Sequence, residues 1–222
     1  MSYILNIETA TRNCSVALAK DGETILCKEI AEIGYSHAEK LHVFIYEILK
    51  EANIHFNEIK AIAVSQGPGS YTGLRIGISA AKGFCYALDI PLIAIDTLAI
   101  LAHQVKVEEG IIIPMIDARR MEVYSAVFDS NYKKIRDVKA EIINEDSFAE
   151  LSENSFFVGD CQEKCQEVLT KENFKFIPEI KFPSAKEMSA LSFEKFAKNQ
   201  FEDVAYFEPF YLKDFMLTTP TK

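Results

Sequence analysis

Five of the nine glycines fall between Gln66 and Gly83, in the run Gly67-Pro-Gly-Ser-Tyr-Thr-Gly-Leu-Arg-Ile-Gly77 and just beyond it. A glycine turn feeding a helix can present backbone N–H groups to a phosphate, because the first amides of a helix have no intrahelical acceptor. The P-loop pattern is not met. It needs four residues between the glycines and then Lys-Ser/Thr, whereas five residues separate Gly67 from Gly73 and Leu74-Arg75 follow. Two readings stay open. Either Gly67, Pro68 and Gly69 form a tight turn and Gly73, Gly77 and Gly83 let the helix pack closely, or Ser70, Thr72 and Arg75 contact a nucleotide phosphate.

Carboxylates at strand ends are the second candidate chemistry. Glu8-Thr9-Ala10 and Asp117-Ala118-Arg119 each end an apolar run. Sugar kinases and actin-like ATPases place Asp, then Gly and a hydroxyl residue, at such turns, so that backbone approaches phosphate while the carboxylate orients hydrated magnesium. Here Glu8 replaces Asp, Ala10 replaces Gly, and Arg119 fills the second small-residue position, so both turns read as degenerate phosphate sites. No metal set is expected. His37 and His42 are five apart, which rotates them about 140° from each other on a helix, and one-face ligation needs a spacing of three or four. His55 and His103 are isolated, and Cys161 and Cys165 have no second ligand pair.

The elements that must position these residues follow from periodicity. Tyr3 to Glu8, Cys14 to Ala19 and Thr24 to Ile30 read as strands, the last two joined by the turn Lys20-Asp-Gly-Glu23. Ser36 reads as the N-cap of a helix to about Asn53, with Leu41, Phe44, Ile45, Ile48 and Leu49 on its apolar stripe and Val43 and Tyr46 outside it. Lys60 to Ser65 is a buried strand, the glycine run opens a helix to Leu88, Pro91 to Ile95 is a strand, and Asp96-Thr97 caps a helix to Gln104. The pattern restarts with strands Ile111 to Ile116, Glu122 to Phe128, Lys139 to Ile143 and Phe156 to Val158, and helices Cys161 to Thr170 and Ser184 to Asn199. This is an α/β protein of two mixed units, 1–105 and 106–222. Only Arg75 and Lys82 are charged between Gly73 and Leu88. Two neighbouring helices with surplus apolar surface point to a protein partner.

Composition narrows the function classes. At 222 residues, 49% hydrophobic and 26% charged, the chain can bury a core and is not a disordered or fibrous protein. A formal charge of −9 argues against a chain that grips nucleic acid alone. No apolar run approaches the ~20 residues of a membrane span. The start, Met1 to Glu8, lacks the basic and apolar regions of a signal peptide, and the five cysteines read as reduced core residues. A cytoplasmic location without membrane contact is expected.

Four segments in order, Ile7-Glu-Thr-Ala-Thr to Leu18, Gly67 to Gly77, Ile116-Asp-Ala-Arg to Tyr124, and Glu208-Pro-Phe-Tyr-Leu212, resemble the bacterial TsaB (YeaZ) family across nearly the whole chain. The resemblance implies two actin-like (ASKHA) domains, mixed sheets flanked by helices, with the last segment packing back on the first domain. It implies a non-catalytic subunit in making threonylcarbamoyladenosine at tRNA position 37, bound to the catalytic subunit TsaD and helping to recruit the ATPase TsaE. Transfer RNA is reached only through that complex, and ATP or ADP, if bound, sits at the complex interface. The implied partner face lies on the first-domain helices, with Leu41, Ile45, Tyr46, Leu49, Ile76, Ala80, Lys82 and Phe84 as contacts. The same face makes a homodimer of the isolated chain. The alternative is an independent ATPase or kinase of the same superfamily that uses Glu8 and Asp117.

Overall fold

The computed structural model describes residues 1–31 and 37–212. Strands β1 (Tyr3–Glu8), β2 (Cys14–Lys20) and β3 (Glu23–Ile30) form an antiparallel meander. The β2–β3 turn puts Asp21 and Gly22 at positive φ, as an Asp-Gly hairpin turn requires. Helix α1 (His37–Ala52) leads to β4 (Ile59–Gly67), then α2 (Tyr71–Leu88), β5 (Leu92–Asp96) and α3 (Thr97–Ala102). The expected N-cap Ser36 lies outside the described residues. The second half has β6 (Ile111–Asp117), β7 (Glu122–Asp129), β8 (Lys134–Ile142), β9 (Ser155–Gly159), α4 (Gln162–Gln166), β10 (Phe174–Phe176) and α5 (Met188–Ala197).

The two sheets have the same plan. One is ordered β3-β2-β1-β4-β5 and the other β8-β7-β6-β9-β10, each with one antiparallel meander and two parallel additions. Central β1 is buried on both faces, so its residues alternate between two cores. Leu5 and Ile7 face α1 and α2, while Ile4 joins Ala61, Ala63, Ile93 and Met188 on the other side.

Met188 belongs to α5, from the second half of the chain, and α5 lies on the first sheet. Conversely, Leu98 and Leu101 of α3 pack with Ile112, Ile116, Ala126, Phe128 and Val158 of the second sheet. Each half lends its last helix to the other half's sheet. Asp96 at the end of β5 caps α3 by accepting from the Leu98 and Ala99 amides, and its other oxygen pairs with Lys134 of β8 at 2.5 Å.

Three elements depart from the sequence reading. β8 starts at Lys134, not Lys139, because a half-exposed edge strand carries charges on both faces, Lys134 and Arg136 on the more buried one and Asp137 and Lys139 outward, and lacks an apolar run. β10 is only three residues and gave too short a pattern. α4 is five residues long, not ten. Among the described residues no helix is long and apolar enough to cross a membrane.

Candidate functional site

The glycine run and the β1–β2 turn form one packed unit. Ser70 caps α2, its hydroxyl accepting from the Gly73 amide at 3.2 Å, and its own amide donates to the Ala10 carbonyl at 2.6 Å. The Thr9 hydroxyl donates to the Gly73 carbonyl at 2.8 Å. A Cβ on Gly69 would lie 2.3 Å from the Ala10 oxygen, one on Gly73 2.1 Å from the Thr9 oxygen, and one on Gly77 2.2 Å from Thr9 Oγ1. At Gly69 and Gly73 the opposing atoms are backbone and leave no room for a side chain, and at Gly77 the Thr9 side chain would have to move. Gly67 takes φ +117° and passes the Phe210 carbonyl, where a Cβ would come within 2.6 Å. The close-packing reading therefore accounts for Gly67, Gly69, Gly73 and Gly77, and the amides of Ser70 and Gly73 are already engaged. Gly83 differs, because a Cβ there would meet nothing within 4 Å among the described residues.

The remaining residues of the motif face outward. Thr72 is exposed. The Arg75 guanidinium lies 3.9 Å from the Tyr71 ring centre and its Nε donates to the Tyr211 hydroxyl at 3.0 Å. The segment 202–212 is strapped over α2. Lys82 Nζ donates to the Ala205 and Phe207 carbonyls at 3.1 and 3.0 Å, and the Phe210 amide donates to the Gln66 carbonyl at 2.8 Å.

Both strand-end carboxylates are engaged within the fold. Glu8 is fully buried, with Oε1 accepting from the Ala10 amide at 2.5 Å and burial pushing its pKa up to about 7. Asp117 is paired with the Lys164 ammonium, which also donates to the Arg120 and Glu122 carbonyls at 2.6 and 2.9 Å. Asp117 Oδ1 further accepts from the Arg119 amide at 3.0 Å, and Arg119 and Arg120 both adopt positive φ. Among the described residues no three His, Cys, Asp or Glu side chains are arranged to hold a metal ion.

The expected partner-face residues divide. Leu41, Ile45 and Leu49 are buried against the first sheet, so they build the core and cannot be contacts. The apolar stripe of α1 marks the side facing its own sheet. Ile76, Ala80 and Phe84 are half-buried at the α1–α2 seam, where Phe84 stacks on Phe56 at 5.5 Å. Lys82 is committed to the strap. What remains outward is Val43 and Tyr46 of α1 and Tyr86 of α2, exposed by 46, 62 and 86%. Tyr86 was legible from helical spacing, since Thr72, Ser79, Gly83 and Tyr86 follow one face away from the buried Gly73, Leu74, Gly77, Ile78, Ala81 and Cys85. Tyr206, 83% exposed on the strap, had no periodic signal.

A cavity of about 360 Å³ between the halves is lined by Asn13, Glu29, Gln104, Lys181 and Ser184 among others. Its inner polar groups are already paired, Asn13 Nδ2 with Glu29 Oε2 and the Pro183 carbonyl at 3.0 Å each, and Gln104 Nε2 with the Phe182 carbonyl at 2.8 Å.

Two like sheets with exchanged helices, and a hairpin turn after the first strand of each, define the class of two-domain actin-like (ASKHA) proteins. Comparison with known proteins narrows this. A family model described as TsaD, tRNA N6-adenosine threonylcarbamoyltransferase, matches residues 31–215. The tRNA threonylcarbamoyladenosine biosynthesis protein TsaB of Escherichia coli is 31% identical over 222 aligned positions, 95% of this chain and 94% of that one. The Bacillus subtilis protein of the same name is 33% identical over 125 residues, 56% of this chain, and that match spans about half of the relative, 54%. YeaZ from Pseudomonas aeruginosa superposes with a TM-score of 0.84 at 26% identity, covering 96% of this chain and 100% of that one. The chain belongs to the TsaB (YeaZ) family, within the wider group that the TsaD model covers.

Proposed function

We propose that this chain is a non-catalytic subunit of the machinery that makes threonylcarbamoyladenosine at position 37 of tRNA, docking a TsaD homologue on the outer faces of α1 and α2. The end-to-end relation to a protein named for threonylcarbamoyladenosine biosynthesis supports the process. The observation that carries the subunit reading is the outward face of the two helices, with Val43, Tyr46 and Tyr86 exposed and Gly83 of α2 facing open space among the described residues. Tyrosines held on rigid helices are typical of interface anchors. A glycine inside a helix costs about 1 kcal/mol relative to alanine, and close approach of a partner's backbone gives that position a purpose.

The absence of catalysis in this chain is supported by Lys164 holding Asp117 and by Glu8 folding back into its own turn. Transfer chemistry then belongs to the TsaD homologue, and ATP turnover to a TsaE homologue recruited to the pair. Nucleotide binds, in this reading, at the subunit interface, and tRNA is contacted by the assembled complex in the cytoplasm, consistent with the chain's charge of −9. Without TsaD the same helices pair two copies of this chain.

The test is light scattering on the chain alone and mixed with its TsaD homologue, followed by a tRNA modification assay with each subunit omitted. A stable heterodimer is expected, with modification lost when this chain is left out, and the double substitution Tyr46→Asp, Tyr86→Asp is expected to abolish both at unchanged Tm. Modification that proceeds without the chain overturns the reading. ATP turnover by the purified chain that disappears in Glu8→Gln would instead establish the independent ATPase.

A further inference from the structure

A hydrogen-bonded line runs from a buried carboxyl to the start of α2. Glu8 Oε1 accepts from the Ala10 amide, the Ala10 carbonyl accepts from the Ser70 amide, and the Ser70 hydroxyl accepts from the Gly73 amide. Glu8 is completely buried, Oε2 has no hydrogen-bond partner, and no Lys, Arg or His pairs with it among the described residues. Burying an unpaired carboxylate is among the most expensive things a fold can do.

The surroundings offer the anion nothing better. β4 contributes the Ser65 hydroxyl, which favours the charged form less than burial opposes it. From β2 comes Cys14, a thiol pushed up to about 11 and so neutral. His37 of α1 touches the Thr11 and Asn13 backbone, and burial lowers its pKa, disfavouring the imidazolium. α2 brings its buried glycines, Leu74 and Ile78, with Arg75 turned out to Tyr71 and Tyr211. α3 brings Thr97, bonded to the Gly67 amide. From the C-terminal half, Met188 and Ser189 of α5 pack on the β1 side, and the charges near Glu187 are those of Lys186, Glu29 and Lys106.

We propose that Glu8 is a proton-controlled anchor, holding the Thr9–Thr11 turn under the N-terminus of α2 as the neutral acid and loosening that seat when it ionises. An ionised Glu8 still accepts from the Ala10 amide at Oε1, but Oε2 has no partner in the fold and must be solvated, and water entering to reach it parts the Thr9–Thr11 turn from Ser70. The direction follows from linkage. A carboxyl held at about 7 in the fold and 4.5 when unfolded binds its proton more tightly in the native state. Its stabilisation is complete below about pH 4.5, declines through the interval to about 7, and is gone above that. The anchor is a property of this chain alone and holds whether or not α2 receives a partner.

The experiment is an NMR titration of the 13C-labelled Glu8 carboxyl, with amide exchange at Ser70 and Gly73 measured from pH 5 to 8.5 and corrected for base catalysis. The expected result is a midpoint near 7, with corrected exchange rising at least fivefold across it. In Glu8→Gln, whose amide oxygen still accepts from Ala10, exchange is expected to be flat. A midpoint below 5, or an equal rise in Glu8→Gln, overturns the proposal. Should that variant not fold, the carboxyl midpoint in the unaltered chain decides alone.

Discussion

Two glycines on the same helix are expected to respond in opposite ways to one methyl group. Gly73→Ala places a Cβ 2.1 Å from the Thr9 carbonyl oxygen, which is backbone and cannot swing aside. Overpacking of this kind is expected to lower stability by about 2–3 kcal/mol, read as a drop in the urea midpoint. Gly83→Ala meets open space among the described residues and removes a flexible residue from a helix, so it is expected to raise stability by about 1 kcal/mol. The proposed docking adds a second expectation, that Gly83→Ala weakens the heterodimer despite the more stable fold. A Gly83→Ala variant with unchanged affinity removes the close-approach role of that residue. Sequence alone grouped Gly73, Gly77 and Gly83 by their spacing. It could not separate them, because what lies across from a glycine is a tertiary fact, supplied here by Thr9, more than sixty residues away.

At the scale of elements, the strap and α2 act as one body. Residues 202–212 form no helix or long strand, yet they are fixed by Lys82 on two carbonyls, by the Phe210 amide on Gln66, and by Val204 and Phe207 in the first core. Lys82→Met keeps the aliphatic stem and removes the donor, a loss of about 1–2 kcal/mol for charge-assisted bonds at a half-exposed site. It is expected to speed proteolysis within 203–210 and leave the α1–β4 region protected, measured by peptide mapping of a limited digest. Uniform cleavage across the chain would mean that Lys82 supports the whole fold and not the strap. Periodicity found most helices and strands because each buries a stripe or a face. It failed where burial is partial or brief, at β8 with charges on both faces and at three-residue β10. The same logic drew core residues into the expected partner face, beside the outward Tyr46. The apolar stripe of α1 carrying Leu41, Ile45 and Leu49 is the side that meets its own sheet, and the outward residues are those the stripe omits.

For the whole molecule, the chain's division and the core's division are not the same. The apolar pattern restarts after residue 110, which suggests cutting there, but α3 completes the second core and α5 the first. A fragment of residues 1–105 would expose Ile4, Ala61, Ala63 and Ile93 on the sheet face that α5 covers, and would carry Leu98 and Leu101 with nothing to cover them. Burial of the order of 25 cal/mol per Å2 of apolar surface is lost on both sides of the cut. The fragment is therefore expected to be molten or aggregated, with dye-accessible apolar surface, whereas fragments 1–105 and 106–222 produced together are expected to recover a single cooperative transition. Met188→Ala in the intact chain makes the same point more gently. It opens a cavity against Ile4 and Ile93, and is expected to cost about 2–4 kcal/mol. Because the side chain sits in the second half of the sequence, the loss should appear as faster amide exchange in β1 and β4 of the first. If exchange rises only in the second half, the exchanged helices are ornaments on two independent domains. If it rises in β1 and β4, the two halves unfold as one unit, and a partner held on α1 and α2 would stabilise the far sheet as well.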